Sequence, residues 1–289
     1  MVKSKSTRLG DWIVVFLCVL LILACLLPIL NVLSRSLSRP DALVRNEVSF
    51  WPVGLNLSAY QTVLGNSTYT WALIWTAILT VIFTVLAMIM TVMCAYPLIY
   101  ENLKGRGIMN VMIVITMYFN AGTIPTFVLY NRLNLISNPL VLILPGCLSV
   151  FNMIIMRSFF YGIPDSLREC TELDGAGPLR ILISIYLPLS KPVLATLALF
   201  YAVQRWNGFS DALMFMRNRT YYPIQLLLFN ILNNISSIDI PSQDGGLAVG
   251  IPLTFQAAVV MFATIPILLI YPWLQRYFIT GVTLGAVKE

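Results

Sequence analysis

The run WIVVFLCVLLILACLLPIL, residues 12–30, contains no charged side chain. A helix needs about 20 consecutive apolar residues to cross the hydrocarbon core of a bilayer, and this stretch with its flanks supplies them. Five further stretches have the same character, near 71–99, 108–130, 138–157, 191–213 and 251–275, and the first extends over 12–34. The chain is 58% hydrophobic and 10% charged, against about 45–50% and about 25% in a soluble domain. No water-soluble core accommodates that much apolar surface. In lipid every backbone N–H and C=O must be satisfied within the protein, which leaves helices as the solution for spans of this length. The expected fold is an all-α integral membrane protein with six transmembrane helices. Pro139, Pro145, Pro252, Pro266 and Pro272 should start or kink their helices. The first run lacks an A-x-A cleavage site and reads as a retained span.

Six spans place both termini on one side. If that side is the cytosol, it holds Lys3, Lys5, Arg8, Lys104, Arg106, Arg157, Arg168, Arg180, Lys191, Arg276 and Lys288, against Arg35, Arg39, Arg45, Arg132, Arg217 and Arg219 outside, with Arg205 inside the fifth span. The excess favours cytosolic termini. The expected organisation is an N-terminal tail and first span over 1–34, an extracytosolic segment over 35–70, a transmembrane domain over 71–275 and a cytosolic tail over 276–289. Within the transmembrane domain, 158–190 is cytosolic and 214–250 is an external, partly helical loop with a short apolar run at 224–232.

The chain has no histidine. That excludes a His-ligated metal site and any Ser-His or Cys-His catalytic arrangement, so neither catalytic nor metal-binding residues are expected. Cys18, Cys25, Cys94 and Cys147 lie in apolar runs, Cys170 does not, and no CxxC pair occurs; buried reduced thiols are expected. The formal charge of +6 is spread over many short loops, a distribution suited to cytosolic loops and not to nucleic acid.

One internal loop breaks the apolar pattern. RECTELDGAGPLRILISIYLP, residues 168–188, starts with Arg168, Glu169, Glu172, Asp174 and Arg180 within a few turns. Pro164 suits the first position of a helix and Asp165 its first turn. Leu167, Cys170, Thr171 and Leu173 recur at spacings of three and four and form one modest apolar face, with Arg168, Glu169 and Glu172 elsewhere on the surface. Gly175 suits a left-handed helix end. Pro178 then starts a second helix carrying Ile181, Leu182, Ile185 and Tyr186, which Pro188 ends. An isolated helix of about ten residues is marginal in water, so something must cover it. A cytosolic partner protein and the lipid headgroup layer are the two readings open at this point.

The loop resembles the signature of the membrane subunits of ATP-binding-cassette importers: Glu-Ala-Ala, three residues, Gly, nine residues, Ile-x-Leu-Pro. Glu169, Cys170 and Thr171 occupy the first three places, both alanines being replaced by small residues. Gly175, Ile185, Leu187 and Pro188 match in register. IPDSLRE, LPLSKPVLATLALFYAVQRWN, MYFNAGTIPTFVLY and the C-terminal YFITGVTLGAVKE resemble the carbohydrate branch, in particular permeases for complex and uronate-containing oligosaccharides. The similarity covers about residues 70–289. It implies a type I importer permease fold with a coupling helix in the cytosolic loop. It further implies a second homologous permease, two copies of a cytosolic ATP-binding subunit that carries ATP-Mg, and an extracytosolic solute-binding protein. By position, Glu169 matches the acid that meets a basic residue of the ATPase, and Gly175 the turn glycine, flanked by Asp174 and Ala176. The tail GAVKE resembles tails that touch the ATPase. The chain itself has no GxxxxGK phosphate loop and is not expected to be an enzyme or to hold a cofactor. The implied location is a bacterial cell membrane.

The expected substrate path centres on VQRWNGFSD, residues 203–211. Arg205 lies about 20 Å along the fifth span from Pro192, taking about 1.5 Å per residue. A bare arginine at that depth is costly and should face water or a partner. Trp206 can stack on a sugar, Asn207 can bond hydroxyls, and Tyr118 and Asn120 in the third span are candidate opposing groups. Two readings of Arg205 are open: a site for a uronate carboxylate, or a structural role in which it pairs with Asp211, for which the i,i+6 spacing is poor on one helix, or snorkels to the outer interface. An acidic oligosaccharide is thus the expected cargo, a neutral one the alternative. A secondary transporter is a more distant alternative, since it would carry more ionisable groups within its spans.

Overall fold

The computed structural model describes residues 5–233 and 253–270. The distal part of the expected external loop, the ends of the sixth span and the tail 276–289 with GAVKE lie outside the described residues. The described residues form helices and helical turns with no strand among them. In chain order the helices are α1 (Lys5–Leu37), α2 (Pro40–Val44), α3 (Ser58–Gly65), α4 (Ser67–Ala95), α5 (Arg106–Tyr118), α6 (Thr123–Arg132), α7 (Val150–Tyr161), α8 (Asp165–Leu173), α9 (Pro178–Ile181), α10 (Leu187–Leu189), α11 (Lys191–Asn207), α12 (Ser210–Phe215) and α13 (Ile224–Asn233). The helix Leu253–Ile270, α14, follows.

Three segments are straight spans by length and composition: Asp11–Leu37, Ser67–Ile99 and Leu253–Ile270. Three more are bent pairs: Arg106–Tyr118 with Thr123–Arg132 at 115°, Pro139–Gly146 with Val150–Tyr161 at 45°, and Pro178–Leu189 with Lys191–Asn207 at 84°. Each pair counted as one span gives six, as the sequence predicts. The boundaries differ where backbone chemistry intervenes. The fifth span reaches back to Pro178 and turns at Ser190, and its helix stops at Asn207, not at 213. The fourth opens with two short 3₁₀ turns, Pro139–Leu142 and Leu144–Gly146, because Pro139 and Pro145 deny the ladder two donors.

The chain divides into two compact units. In the first, residues up to Thr70 and Leu227–Ile265, α3 packs on the end of α13 and on α14. Ala59, Val63, Ile231, Phe255, Ala258 and Val259 form the cluster, and Tyr69 meets Phe255 edge-on at 5.7 Å. The long helix α1 is different. None of its apolar window is buried within the chain, and a helix that is apolar all round has to be covered by lipid or by other helices. At its end the chain folds back through short hydrogen bonds: Ser38 Oγ donates to Ser34 O at 2.6 Å and accepts from Val53 N at 3.0 Å.

The second unit, Trp71–Leu226 with the residues from Pro266, has its core at one end of α4. Val92, Ala95, Tyr96, Leu98 and Ile99 pack with Met153, Met156 and Phe160 of α7 and with Ile181, Leu182 and Tyr186 after α9. Further along, Tyr201 of α11 is fully buried, paired by its hydroxyl with Thr91 of α4 at 2.7 Å and accepting from Ser149 N at 3.0 Å. One phenol of α11 thus satisfies polar groups on two other segments, the condition under which buried polar atoms cost little. Toward the opposite end, Thr76 Oγ1 accepts from Ile224 N at 2.8 Å, and the indoles of Trp71 and Trp75 donate to Thr220 O and Tyr221 O. The predicted apolar run at 224–232 is α13.

The cysteines depart from expectation. All five are free, but only Cys147 is buried; Cys94 is half-buried, and Cys18, Cys25 and Cys170 are exposed. Cys18 and Cys25 ride on α1, whose surface faces outward from the chain, so apolar surroundings there come from the membrane and not from a protein core.

Candidate functional site

The charged loop folds as its residues dictate, one position out of register at the start. Pro164 is the N-cap of α8, with extended ψ of 133°, and Asp165 is the first helical residue. Asp165 stabilises the positive end of the helix from there. The C-terminus closes in a Schellman arrangement: Ala176 N donates to Thr171 O at 3.2 Å and Gly175 N to Glu172 O at 3.0 Å. Gly175 carries the left-handed φ of +76° that this closure needs. A Cβ on Gly175 would meet no atom within 4 Å, so strain is the reason for glycine within this chain, not a clash. Gly177 then caps α9, whose first residue is Pro178. Leu182–Tyr186 widens into a π turn, which fits the missing N–H of Pro188, since that residue cannot bond Ser184 O.

The two halves of the loop meet different surroundings. Ile181, Leu182 and Tyr186 are buried in the core of the second unit. The outer face of α8 has no such cover. Leu173 is 87% exposed, Leu167 is 44% exposed, and Glu169, Cys170 and Asp174 are exposed. Thr171 is half-buried and bonds back to Leu167 O at 2.8 Å, and Ala176 packs at the edge of the core. The expected coupling residues Glu169, Cys170, Thr171, Asp174, Gly175 and Ala176 therefore sit together around one short helix and its turn.

Arg168 departs from the expected surface position. It pairs with Asp165 at 3.3 Å and Glu172 at 3.7 Å along α8, and its guanidinium lies over the ring of Tyr100 at 5.2 Å. Tyr100 directly follows the turn that ends the second span, and the sequence offers no spacing signal that joins it to Arg168.

The second cluster surrounds Arg205, which is 5% exposed. It donates to Leu142 O at 2.8 Å, to Gly208 O at 3.1 Å and, through both terminal nitrogens, to Asp211, with Nη2 to Oδ1 at 3.0 Å. The i,i+6 spacing is no obstacle, because α11 ends at Asn207 and the chain reverses through Gly208 and Phe209 before α12. Asp211, also bonded to Ala212 N at 2.9 Å, comes back onto the guanidinium. Gly208 is part of the device: a Cβ there would lie 2.8 Å from Arg205 Nη2 and 3.2 Å from Gln204 O. A cavity of about 350 Å³ opens beside the pair, lined by Tyr130, Gln204, Arg205, Ser210, Asp211 and Phe215 among others. Trp206 is buried and Asn207 exposed.

Tyr118 and Asn120 are at the 115° break between α5 and α6, apart from the Arg205 hydrogen-bond network. Asn120 Oδ1 accepts from Gly122 N at 2.9 Å, and Gly122 has φ of +86°. Tyr118 and Phe119 are each more than three-quarters exposed. The break strands backbone carbonyls within a stretch expected to cross the bilayer, and such backbone is tolerated only against protein or a water-filled path. The sequence predicts one span over 108–130 with Tyr118 and Asn120 inside it; the 115° break between Arg106–Tyr118 and Thr123–Arg132 corrects that. Among the described residues, no cluster of three or more His, Cys, Asp or Glu is arranged to hold a metal.

Comparison with known proteins agrees with this architecture. Over 284 residues the chain is 35% identical to the polygalacturonan/rhamnogalacturonan transport system permease protein YtcP of Bacillus subtilis (strain 168), covering 98% of this chain and 99% of that one. It is 34% identical over 272 residues to protein LplC of the same organism, covering 91% and 89%. Among solved structures, a chain of a bacterial ABC transporter involved in import of the acidic polysaccharide alginate superposes with a TM-score of 0.87 at 31% identity, over 96% of this chain and 99% of that one. The family model for the binding-protein-dependent transport system inner membrane component matches residues 12–283, and the chain belongs to that family of transport permeases.

Proposed function

We propose that this permease forms, with a second homologous permease, the membrane path of an ATP-driven importer for acidic, uronate-type oligosaccharides. The observation that carries the substrate class is end-to-end similarity to a polygalacturonan/rhamnogalacturonan permease, supported by the superposition on an alginate importer. Two copies of a cytosolic ATPase bind and hydrolyse ATP-Mg, an extracytosolic binding protein delivers the sugar, and this chain holds no cofactor. Both termini, the loop 158–190 and the tail 276–289 are cytosolic; 35–70 and 214–250 are external.

In this reading α8 is the coupling helix. Its uncovered face, with Leu173 and Leu167 exposed, enters a cleft of the ATPase, where Glu169 meets a basic side chain. Fully burying one leucine contributes about 1.5–3 kcal/mol, enough for α8 to follow the ATPase when ATP closes it. The bent spans then rock the path between inward- and outward-facing forms. Tyr118 and Asn120 at the break contribute to the path, and Arg205 with Asp211, Trp206 and Asn207 shapes the wall of the 350 Å³ cavity.

A neutral oligosaccharide is a second reading, favoured by one observation: Asp211 already neutralises Arg205. Reconstituting the complete complex and comparing ATP hydrolysis stimulated by oligogalacturonates with that by neutral oligosaccharides separates the two. Stimulation by uronate oligomers is expected. Stimulation by neutral sugars alone overturns the acidic assignment.

A further inference from the structure

We propose that Arg168 and Tyr100 are positioning residues that fasten the coupling helix to the cytosolic end of the second span, so that movement of α8 is passed to α4. The proposal rests on α8 docking to the ATPase, and it adds the element that receives the motion.

Arg168 is the one residue of α8 that turns inward with a charge. Its side chain is 20% exposed, whereas those of Asp165 and Glu172, its two ion-pair partners, are 74% and 47% exposed. The two carboxylates sit one turn to either side on the same helix. They hold the guanidinium against the helix and aim its flat face at Tyr100. An arginine over an aromatic face is attracted by the ring quadrupole, more strongly when water is partly excluded. Because that attraction depends on the ring and not on the hydroxyl, it leaves the hydroxyl free for a second task. The Tyr100 hydroxyl pairs with that of Tyr96, and Tyr96 is also bonded to Pro178 O at 3.0 Å.

The chain of contact is thus continuous. Arg168 on α8 touches Tyr100. Tyr100 meets Tyr96 edge-on at 5.4 Å, and Tyr96 meets Tyr186 at 5.2 Å. Tyr96 is buried at the end of the second span and Tyr186 in the return helix. Pro178 and Tyr186 bracket the second half of the loop. Both halves of the loop are therefore tied to the end of the second span, the first through the ion–ring contact to Tyr100 and the second through the Pro178 carbonyl to Tyr96, and the two tyrosines meet each other. A polar cavity of about 210 Å³ beside Arg168, bordered by Glu101, Asn102, Asp165 and Tyr161, leaves α8 otherwise loosely held. Without the Arg168–Tyr100 contact the first half of the loop has little purchase on α4.

The test uses the complete complex purified with its ATPase and partner permease. Cys18, Cys25, Cys94 and Cys147 are replaced by serine and Cys170 by alanine, the residue of the importer signature at that place, ATPase co-purification of this background being checked first; an environment-sensitive fluorophore is attached at Met93→Cys, which is half exposed near the end of α4. ATP-Mg is the probe, with a hydrolysis-blocked ATPase, so no sugar is needed. ATP is expected to shift the emission of the reference complex. Arg168→Gln and Tyr100→Leu should each reduce that shift about fivefold, the factor that loss of a cation–ring contact of ordinary strength implies, while the ATPase still co-purifies at unchanged ratio. Tyr100→Phe keeps the ring and should retain most of the shift; Arg168→Lys keeps the charge and should retain part. An unchanged shift in Arg168→Gln and Tyr100→Leu overturns the proposal. So does equal loss in Tyr100→Phe and Tyr100→Leu, or loss of the ATPase from Arg168→Gln, which would place Arg168 in the docking surface itself. Failure of the ATPase to co-purify with the unsubstituted permease would instead sink the docking reading, and this inference with it.

Discussion

Asp211→Ala removes a carboxylate and leaves a buried cation behind. Arg205 is 5% exposed and retains hydrogen bonds to Leu142 O and Gly208 O, but no described anion replaces Asp211. Breaking one partner of a buried ion pair costs about 3–5 kcal/mol. Asp211 is one-third exposed, at 33% of its side-chain area, so water screens part of that loss. The working figure becomes about 2–3 kcal/mol, still large against typical surface ion pairs of about 0–1 kcal/mol. Asp211→Asn keeps one acceptor and should lose about half as much. Replacing both residues, Arg205→Met with Asp211→Leu, removes the uncompensated charge and should recover much of the single-variant loss. The assay is thermal unfolding of the purified complex in one detergent, scored as the melting-temperature shift for each variant. If Asp211→Ala melts with the parent, or the double variant melts as far below it as the two singles combined, Arg205 is not held by Asp211 and the reasoning fails.

Glu169→Ala and Gly175→Asp should leave the permease inserted but abolish substrate-stimulated ATP hydrolysis, the first by losing a charge-assisted contact and the second by straining the left-handed turn by about 1–3 kcal/mol; parental stimulation in both would contradict the coupling role. Gly208→Ala should displace the Arg205 guanidinium and lower the melting temperature in the same direction as Asp211→Ala, which a thermal scan checks. Single cysteines at Ser166 and Ser237 in a cysteine-free background should label from opposite sides of the membrane; labelling from one side refutes the six-span topology. Arg205→Gln should reduce stimulation by uronate and neutral oligomers alike if Arg205 only shapes the cavity wall, and a selective loss with uronates would make it a carboxylate site.

Much of this was written in the sequence, for identifiable reasons. Spans are set by apolar length, so all six were visible. The turn at Gly175 was visible because a left-handed position in L-protein nearly demands glycine. What stayed hidden depends on chain reversal or on unpatterned partners. Nothing in a linear reading places Leu142 O against Arg205, and treating residues 191–213 as one helix put Asp211 on the wrong face. The break after Asn207 changes that geometry entirely. Tyr100 and Arg168 are 68 positions apart in the numbering, and only the fold brings them together. The exposed thiols on α1 were misplaced for a related reason: an apolar run says that water is absent, not whether protein or lipid replaces it.

The two candidate clusters also differ in what the membrane asks of them. Around Arg205 the charge is buried, and both terminal nitrogens have acceptors, two carbonyls and a bidentate carboxylate, while Nε has none among the described residues. That arrangement favours one geometry and resists change. Around α8 the opposite holds. The carboxylates are exposed, an apolar face has no cover within the chain, and attachment to the span runs through Arg168 and a few aromatic contacts. The proposed coupling to a separate ATPase needs that contrast. A path wall must keep its shape while the spans move, and a coupling element must be incomplete until its partner arrives. In the proposed reading the uncovered leucines of α8 and the ion-paired arginine of α11 would be two halves of one physical requirement: stiffness along the proposed path, and available binding energy where the proposed coupling helix meets its partner.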